Sequence, residues 1–219
     1  MHANNQSYAN RRAAGAELGR AVARAAPQAP RIVLGLPRGG VPVAYEVAQA
    51  LHAPLDVMIV RKVGMPTQPE LAIGAVASGG ITVRDPPAAV LGITDEAFER
   101  LATHERAEVE RREQDFRAGL PPLNLAGQCA ILVDDGIATG ATMLAALRAA
   151  RKAGAASVVV AVPVASSEAA ASLKAEADST VILMIPRFLL AIGQFYDDFS
   201  QSTDEEVKTL LDMARKEKR

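Results

Sequence analysis

One cysteine, no tryptophan and three histidines are spread over 219 residues, and each scarcity removes a class of chemistry. Cys129 alone cannot form an intramolecular disulfide, and without a cysteine cluster there is no zinc or iron–sulfur site to read. His2, His52 and His104 are far apart and none sits at a ligand spacing, so solvated side chains are expected rather than a histidine-held metal. Charge of one sign is lacking too. The 24 Lys and Arg nearly balance the 25 Asp and Glu, for a net charge of −1, which leaves no electrostatic footprint for nucleic acid. No apolar run approaches the ~20 residues that span a bilayer. The first thirty residues scatter Arg11, Arg12, Arg20 and Arg24 among alanines, where a secretory signal needs a continuous apolar core. The expectation is a cytoplasmic protein whose partners are small molecules, not nucleic acid or membrane.

What is present is ordinary for a globular chain: 49% hydrophobic and 22% charged residues. The length favours one domain, 1–219, with elaborations. Short β-branched runs at 31–36, 55–60, 129–133, 157–162 and 180–185 read as buried parallel strands, and the alanine-rich segments 41–51, 142–153 and 167–175 are long enough to cross back over a sheet. This alternation predicts an α/β protein with an open, mainly parallel twisted sheet flanked by helices, with ligands at the carboxyl ends of the strands.

Two regions break the alternation. Residues 71–83, punctuated by Gly74, Gly79 and Gly80, look like a small β excursion. Residues 94–117 then carry thirteen charged side chains, with Thr94 as N-cap and Glu96/Arg100, Glu108/Arg112 and Glu113/Arg117 at i,i+4. This predicts a long solvated helix inside an insert over 84–122, whose apolar stripe (Phe98, Leu101, Val109, Phe116) faces the core. Such a helix suits a lid or the arm of a homodimer. At the carboxyl terminus, 186–219, Thr203 with Glu206 forms a capping-box pattern that opens a last helix.

The segment carrying chemistry is 131–142, ILVDDGIATGAT. Ile131, Leu132 and Val133 end a strand at Asp134 and Asp135, so both carboxylates emerge at the ligand-facing edge. Gly136, Ile137, Ala138, Thr139, Gly140, Ala141 and Thr142 then turn the chain into a helix. Glycine permits the torsions, small residues allow close approach to the main chain, and the helix start aims unpaired N–H groups at the same space. Such a loop holds a dianionic phosphate without a lysine, because hydrogen bonds to a charged group contribute roughly 1.5–3 kcal/mol each. It is neither a P-loop, which needs G-x-x-x-x-G-K-[ST], nor the dinucleotide pattern G-x-G-x-x-G.

Here the sequence resembles the type I phosphoribosyltransferases, whose signature is a hydrophobic strand, two acids, a small residue and a Thr-Gly loop. Leu36-Pro37-Arg38-Gly39-Gly40 is similar to that family's pyrophosphate loop, and Arg61-Lys62-Val63-Gly64-Met65-Pro66 to its Arg-Lys-x-Gly-x-Pro stretch. Alone, each could be an ordinary turn or a solvated strand end; three strand ends delivering complementary groups to one edge change that reading. The resemblance implies the family fold and transfer of a phosphoribosyl group from 5-phosphoribosyl 1-pyrophosphate to a nitrogen nucleophile. It also implies Mg²⁺ between pyrophosphate and ribose, with Asp134 and Asp135 as the acids on the metal and hydroxyl side. Arg38, Arg61 and Lys62 would offset charge on the leaving pyrophosphate, with Arg61 and Lys62 counted beside the two acids in the catalytic set.

Hypoxanthine-guanine enzymes carry an aspartate where this chain has Ala138, so the loop resembles that of the adenine enzymes, although an acceptor other than a purine fits equally. The acceptor is expected under a carboxy-terminal hood, where Phe195, Tyr196 and Phe199 cluster in a chain with 4% aromatics. Packing of those rings against the body is the competing reading. The insert and the Tyr-Asp-Asp-Phe-Ser-Gln segment also resemble a bacterial group described only as phosphoribosyltransferase-like. A non-catalytic regulator binding the same sugar pyrophosphate or a nucleotide, and a hydrolase in which water replaces the base, remain as alternatives.

Overall fold

A computed structural model describes residues 7–25, 30–65, 67–85 and 91–217, with the backbone alone at 69 and 70. His2, Pro66 of the Arg-Lys-x-Gly-x-Pro stretch, residues 86–90 of the insert and the last two residues of the hood segment lie outside the described residues.

Five parallel strands form the central sheet in the order β2-β1-β6-β7-β8: β1 (Arg31–Gly35), β2 (Leu55–Val57), β6 (Cys129–Val133), β7 (Ser157–Val164) and β8 (Ser179–Met184). The two-residue period of a strand sorts its side chains into two cores. Val33, Ile131, Val133 and Val159 face one way, onto α1 (Arg11–Ala25), α2 (Gly40–Leu51) and α6 (Asp204–Lys216). Ile32, Leu34, Ala130, Leu132, Val158 and Val160 face the other way, onto α4 (Ala141–Lys152) and α5 (Ser167–Glu176). With both faces covered, the strands read as continuous apolar runs without alternation.

The run at 55–60 divides. Pairing with β1 stops at Val57, and β3 (Val60–Met65) begins a separate antiparallel sheet with β4 (Gln68–Ala77) and β5 (Ile81–Arg84). Ser78 holds the junction: its buried hydroxyl accepts from Ile59 N–H at 2.9 Å. Hydropathy cannot signal this change of sheet, because the residues that straddle it, Val57 to Val60, are all apolar.

The charged helix is α3 (Asp95–Arg117), and the Thr94 hydroxyl accepts from Ala97 N–H at 3.2 Å to cap it. Phe98, Val109 and Phe116 are buried along its inner stripe. Its last residue, Arg117, forks onto Asp56 of β2 at 2.9 and 3.1 Å, a pair largely out of solvent that anchors the insert to the central sheet. Helix α6 opens as its Thr203–Glu206 spacing predicts, with the Thr203 hydroxyl accepting from Glu206 N–H at 3.1 Å.

Helix α1, which the sequence reading does not anticipate, packs against α2 and brings the amino-terminal segment to the hood. Tyr8 N–H donates to Phe195 C=O, and Asp197 and Asp198 N–H donate to Tyr8 and Ala9 C=O. Tyr8, Ala14, Val164, Phe195 and Tyr196 make a third small core beneath that clasp.

Candidate functional site

Gly35 lies beside Val133 in the β1/β6 register, so the loops that follow these strands, 36–40 and 134–140, leave the sheet side by side. Their approach explains two glycines. A Cβ at Gly40 would lie 2.7 Å from Val133 O, and one at Gly39 would overlap the Asp135 carboxylate. The Pro37–Arg38 peptide in this turn is cis. No acceptor occurs among the described residues for the N–H groups of Arg38 and Gly39, so this turn, packed against the acidic pair, carries two unpaired main-chain donors.

The loop after β6 is built the same way on a larger scale. Ile137 N–H donates to Val164 C=O at 2.9 Å. The Ser166 main chain and hydroxyl donate to the carbonyls of Ile137 and Ala138 at 2.9 and 2.7 Å. These bonds turn the carbonyls away and leave the amides inward. Gly140, at φ +82°, completes the turn into α4. The N–H groups of Ala138, Thr139, Gly140, Ala141, Thr142 and Met143 have no acceptor among the described residues. A cavity of about 90 Å³ beside them is lined by Ala138, Gly140, Thr142 and Met143 of this stretch together with Asp134, Gly136 and Ile137. Converging main-chain donors at a helix start make an anion site. Thr139 is exposed, and neither its hydroxyl nor that of Thr142 has a partner among the described residues.

The two acids are held differently. One Asp134 oxygen accepts from Asp135 N–H at 2.8 Å, and the two carboxyl side chains are close enough to share a hydrogen bond. Burial, and then the charge of Asp135, push the Asp134 carboxyl well above the usual carboxylate range. Burial also raises Asp135, opposed by Arg11, whose Nε donates to it at 2.7 Å. Tyr196 Oη donates to the Asp135 carbonyl at 2.5 Å.

Of the basic residues singled out in sequence, Arg38 stands in the first loop, 3.7 Å from Asp204. Arg61 and Lys62 lie on β3 of the second sheet, and neither makes a hydrogen bond or ion pair with the two loops: Arg61 pairs with Glu105 of α3 at 2.9 Å, and Lys62 is exposed. Among the hood aromatics, Phe195 and Tyr196 are buried in the small core with Tyr8. Phe199 stacks on Tyr196 at 5.0 Å and carries the Arg11 guanidinium 3.9 Å above its ring. Ile192 of the same hood closes on Gly136, where a Cβ would overlap it.

Sequence reasoning passed over Arg11 and Ser166. Ser166 had a readable signal, a serine three residues before the apolar face of a helix; Arg11 had none, because its partner is distant in sequence.

Residues 4–198 match the family model described as "Phosphoribosyl transferase domain". Over 187 residues the chain is 46% identical to a Mycobacterium tuberculosis protein named "Putative phosphoribosyl transferase MT0597" in strain CDC 1551 / Oshkosh and "Putative phosphoribosyl transferase Rv0571c" in strain H37Rv. That alignment takes in 85% of this chain but 42% of each relative, so the chain spans less than half of their length. The crystal structure of TT1426 from Thermus thermophilus superposes with a TM-score of 0.85 at 47% identity, covering 94% of this chain and 97% of that one.

Proposed function

The chain belongs to the phosphoribosyl transferase family, and from that premise we propose that it binds 5-phosphoribosyl 1-pyrophosphate and transfers the phosphoribosyl group to a nitrogenous base or small amine, releasing pyrophosphate. One observation supports this most: six consecutive N–H groups without acceptors among the described residues, Ala138 to Met143, directly after a pair of acids. A terminal phosphate fits the amides. The sugar's hydroxyls then lie toward Asp134 and Asp135, and the pyrophosphate toward the Arg38 and Gly39 amides across the shared edge.

The chemistry follows from charge. Displacement at C1 breaks the bond to pyrophosphate and forms one to nitrogen, through a transition state with positive charge on the ring. Asp134 and Asp135 offset that charge, and the amides and side chain of Arg38 offset the negative charge growing on the departing group. In this reading Arg61 and Lys62 come from the second sheet to the outer side of the pyrophosphate. Fixing the phosphate in a rigid cradle supplies orientation, which lowers the entropic share of the barrier. Phe195, Tyr196 and Phe199 border the acceptor side, with Phe199 the ring nearest to solvent.

Mg²⁺ fits this site in a limited way. No group of three or more His, Cys, Asp or Glu able to hold an ion occurs among the described residues, while Asp134 lines the cradle with Asp135 adjacent, a pair of carboxylates rather than a closed cage. That donor set suits an ion that keeps water and ligand oxygens and takes one or two carboxylates. Bound with the donor, it would neutralise charge on the pyrophosphate; Asp134 is the residue to hold it, and Asp135 can join once released from Arg11.

The test is pyrophosphate release with Mg²⁺ over a panel of bases and amines, with a no-acceptor control. Release with one acceptor class and not without it is the expected result. A second reading, a non-catalytic regulator, draws on the Arg11–Asp135 pair, which occupies one of the acids. Tight donor binding with no release under any condition would favour it, and release without acceptor would mean hydrolysis.

A further inference from the structure

Arg11 is the first residue of α1, where the helix dipole disfavours a cation, and α1 has no acid in its first turn to offset it. Both arginines at that end are held by acids of other elements, Arg12 by Glu46 and Arg11 by Asp135. A local preference broken in this way marks a position kept for another purpose. For Arg12 the partner is exposed packing. For Arg11 it is the acidic pair of the candidate site.

The Arg11 side chain is 12% exposed and four constraints aim its guanidinium. Its Nε donates to Asp135 at 2.7 Å and its Nη1 to the Ser200 carbonyl at 2.6 Å. Its plane lies over Phe199. Its Nε would be 3.3 Å from a Cβ at Gly39, so the cation sits against the turn that carries the unpaired Arg38 and Gly39 amides. Nη2 has no partner among the described residues, and Arg11 lines a cavity of about 190 Å³ in which Arg12 is matched by the carboxylates of Asp198 and Glu206. The clasp between residues 8–9 and 195–198 fixes the backbone from which this side chain extends.

We propose that Arg11 is a pyrophosphate-binding residue of the donor site, a cation supplied by the amino-terminal helix that pairs with Asp135 until the ligand arrives. The inference rests on the donor reading given above. Arg61 is engaged with Glu105, and neither it nor Lys62 makes a hydrogen bond or ion pair with the two loops, whereas Arg11 already bonds Asp135 and lies against Gly39. A guanidinium forks onto phosphate oxygens as readily as onto a carboxylate. When pyrophosphate meets the Arg38–Gly39 amides, Arg11 turns to it and Asp135 is released to the ribose hydroxyls. One residue thereby keeps a buried acid neutralised in the free protein and links arrival of the pyrophosphate to exposure of that acid.

The experiment titrates the full chain and its Arg11→Met and Arg11→Lys variants by calorimetry with two probes. Ribose 5-phosphate carries the phosphate for the cradle and no pyrophosphate. Mg²⁺-pyrophosphate is then added to protein saturated with ribose 5-phosphate. Arg11→Met is expected to weaken pyrophosphate binding about tenfold or more, the loss of one charge-assisted bond, while ribose 5-phosphate binds as well as before or better, since Asp135 is no longer paired. Unchanged or tighter pyrophosphate binding overturns the proposal. If Arg11→Met weakens both probes, Arg11→Lys decides: weaker pyrophosphate binding with ribose 5-phosphate intact supports it, and any other pattern gives Arg11 a purely structural role and overturns it. A wild-type chain that binds ribose 5-phosphate but no pyrophosphate overturns this inference and leaves the cradle standing. One that binds neither removes the donor reading and this inference together.

Discussion

Along helix α3 most of the charged groups find partners inside the chain, Glu96, Arg100 and Glu110 being exceptions, whereas along the loop from Ala138 to Met143 a run of N–H groups finds none among the described residues. Glu108 bonds Arg111 and Arg112, Arg111 also reaches Asp115, Arg106 meets Glu99, and Glu105 holds Arg61. These pairs are mostly at the surface, where solvent screening leaves each of them contributing little to stability. The loop is poorer in charge but richer in unmet demand: amides turned into a small cavity, beside a carboxyl that burial pushes up. A region whose polar groups satisfy one another has little left to offer a ligand. The difference teaches that free donors, more than charge density, mark the site.

Neutralising the acids should break the comparison most severely. Asp134→Asn with Asp135→Asn is expected to lower turnover by on the order of 10³, as removal of charge stabilisation at a reacting centre does; near-normal pyrophosphate release in the double variant would show that the acids are not part of the chemistry. Gly140→Val comes next. It puts a branched side chain at φ +82° with its Cβ 3.3 Å from that of Ala169, so the turn that aims the amides cannot persist. Losing two or more of those bonds should weaken ribose 5-phosphate binding on the order of 100-fold, and calorimetry showing wild-type affinity would remove the cradle from the account.

The Arg117–Asp56 pair sharpens the contrast from the other side, because it belongs to α3 yet is buried. Arg117→Met leaves Asp56 uncompensated and should cost about 3–5 kcal/mol of stability in urea denaturation, with no direct effect on the phosphate cradle. A smaller effect of opposite sign is expected at Asp134. Its folded-state pKa lies above the unfolded value, so at neutral pH folding buries a charge it would rather not carry. Asp134→Asn should therefore raise Tm near neutrality, and the gain should shrink as pH falls through the folded pKa toward the unfolded one. A lower Tm at pH 7 would mean that the buried carboxylate is compensated after all.

The parts of this site that the sequence discloses are those whose meaning is local. Ile131 to Val133 read as a buried strand, Asp134 and Asp135 as its end, and Gly140 as the turn into a helix, because each depends on neighbours a few residues away. The core strands were legible for the same reason. Pairing was not: from Val57 to Val60 the run is apolar without a break, so nothing there marks the point at which the chain leaves β2 for a second sheet and carries Arg61 toward Glu105. Arg11 was illegible for a stronger reason. Its partners, Asp135, Phe199 and Ser200, come from the other half of the chain. Tyr196 shows both sides: an aromatic cluster was visible, but only the fold reveals that Tyr8 packs under it and that its hydroxyl holds the Asp135 carbonyl.

The smallest expected effect is the one that makes the opening contrast quantitative. Glu108 has two arginines bonded to it, Arg111 first and Arg112 second, and they hold its carboxyl down at about 2. A depressed carboxylate contributes stability above its unfolded value, and that contribution is lost as pH falls from about 4.5 toward 2. Glu108 is also at the surface of α3, where water and salt screen both partners, so its low pKa does not carry over into stability. Glu108→Gln should leave Tm at neutral pH within measurement error, and high salt should bring wild type and variant together. If it instead destabilised the chain as much as Arg117→Met, the ion-pair lattice along α3 would have to act as a cooperative network, and its satisfied charges would matter to the fold as much as the unsatisfied amides matter to the ligand.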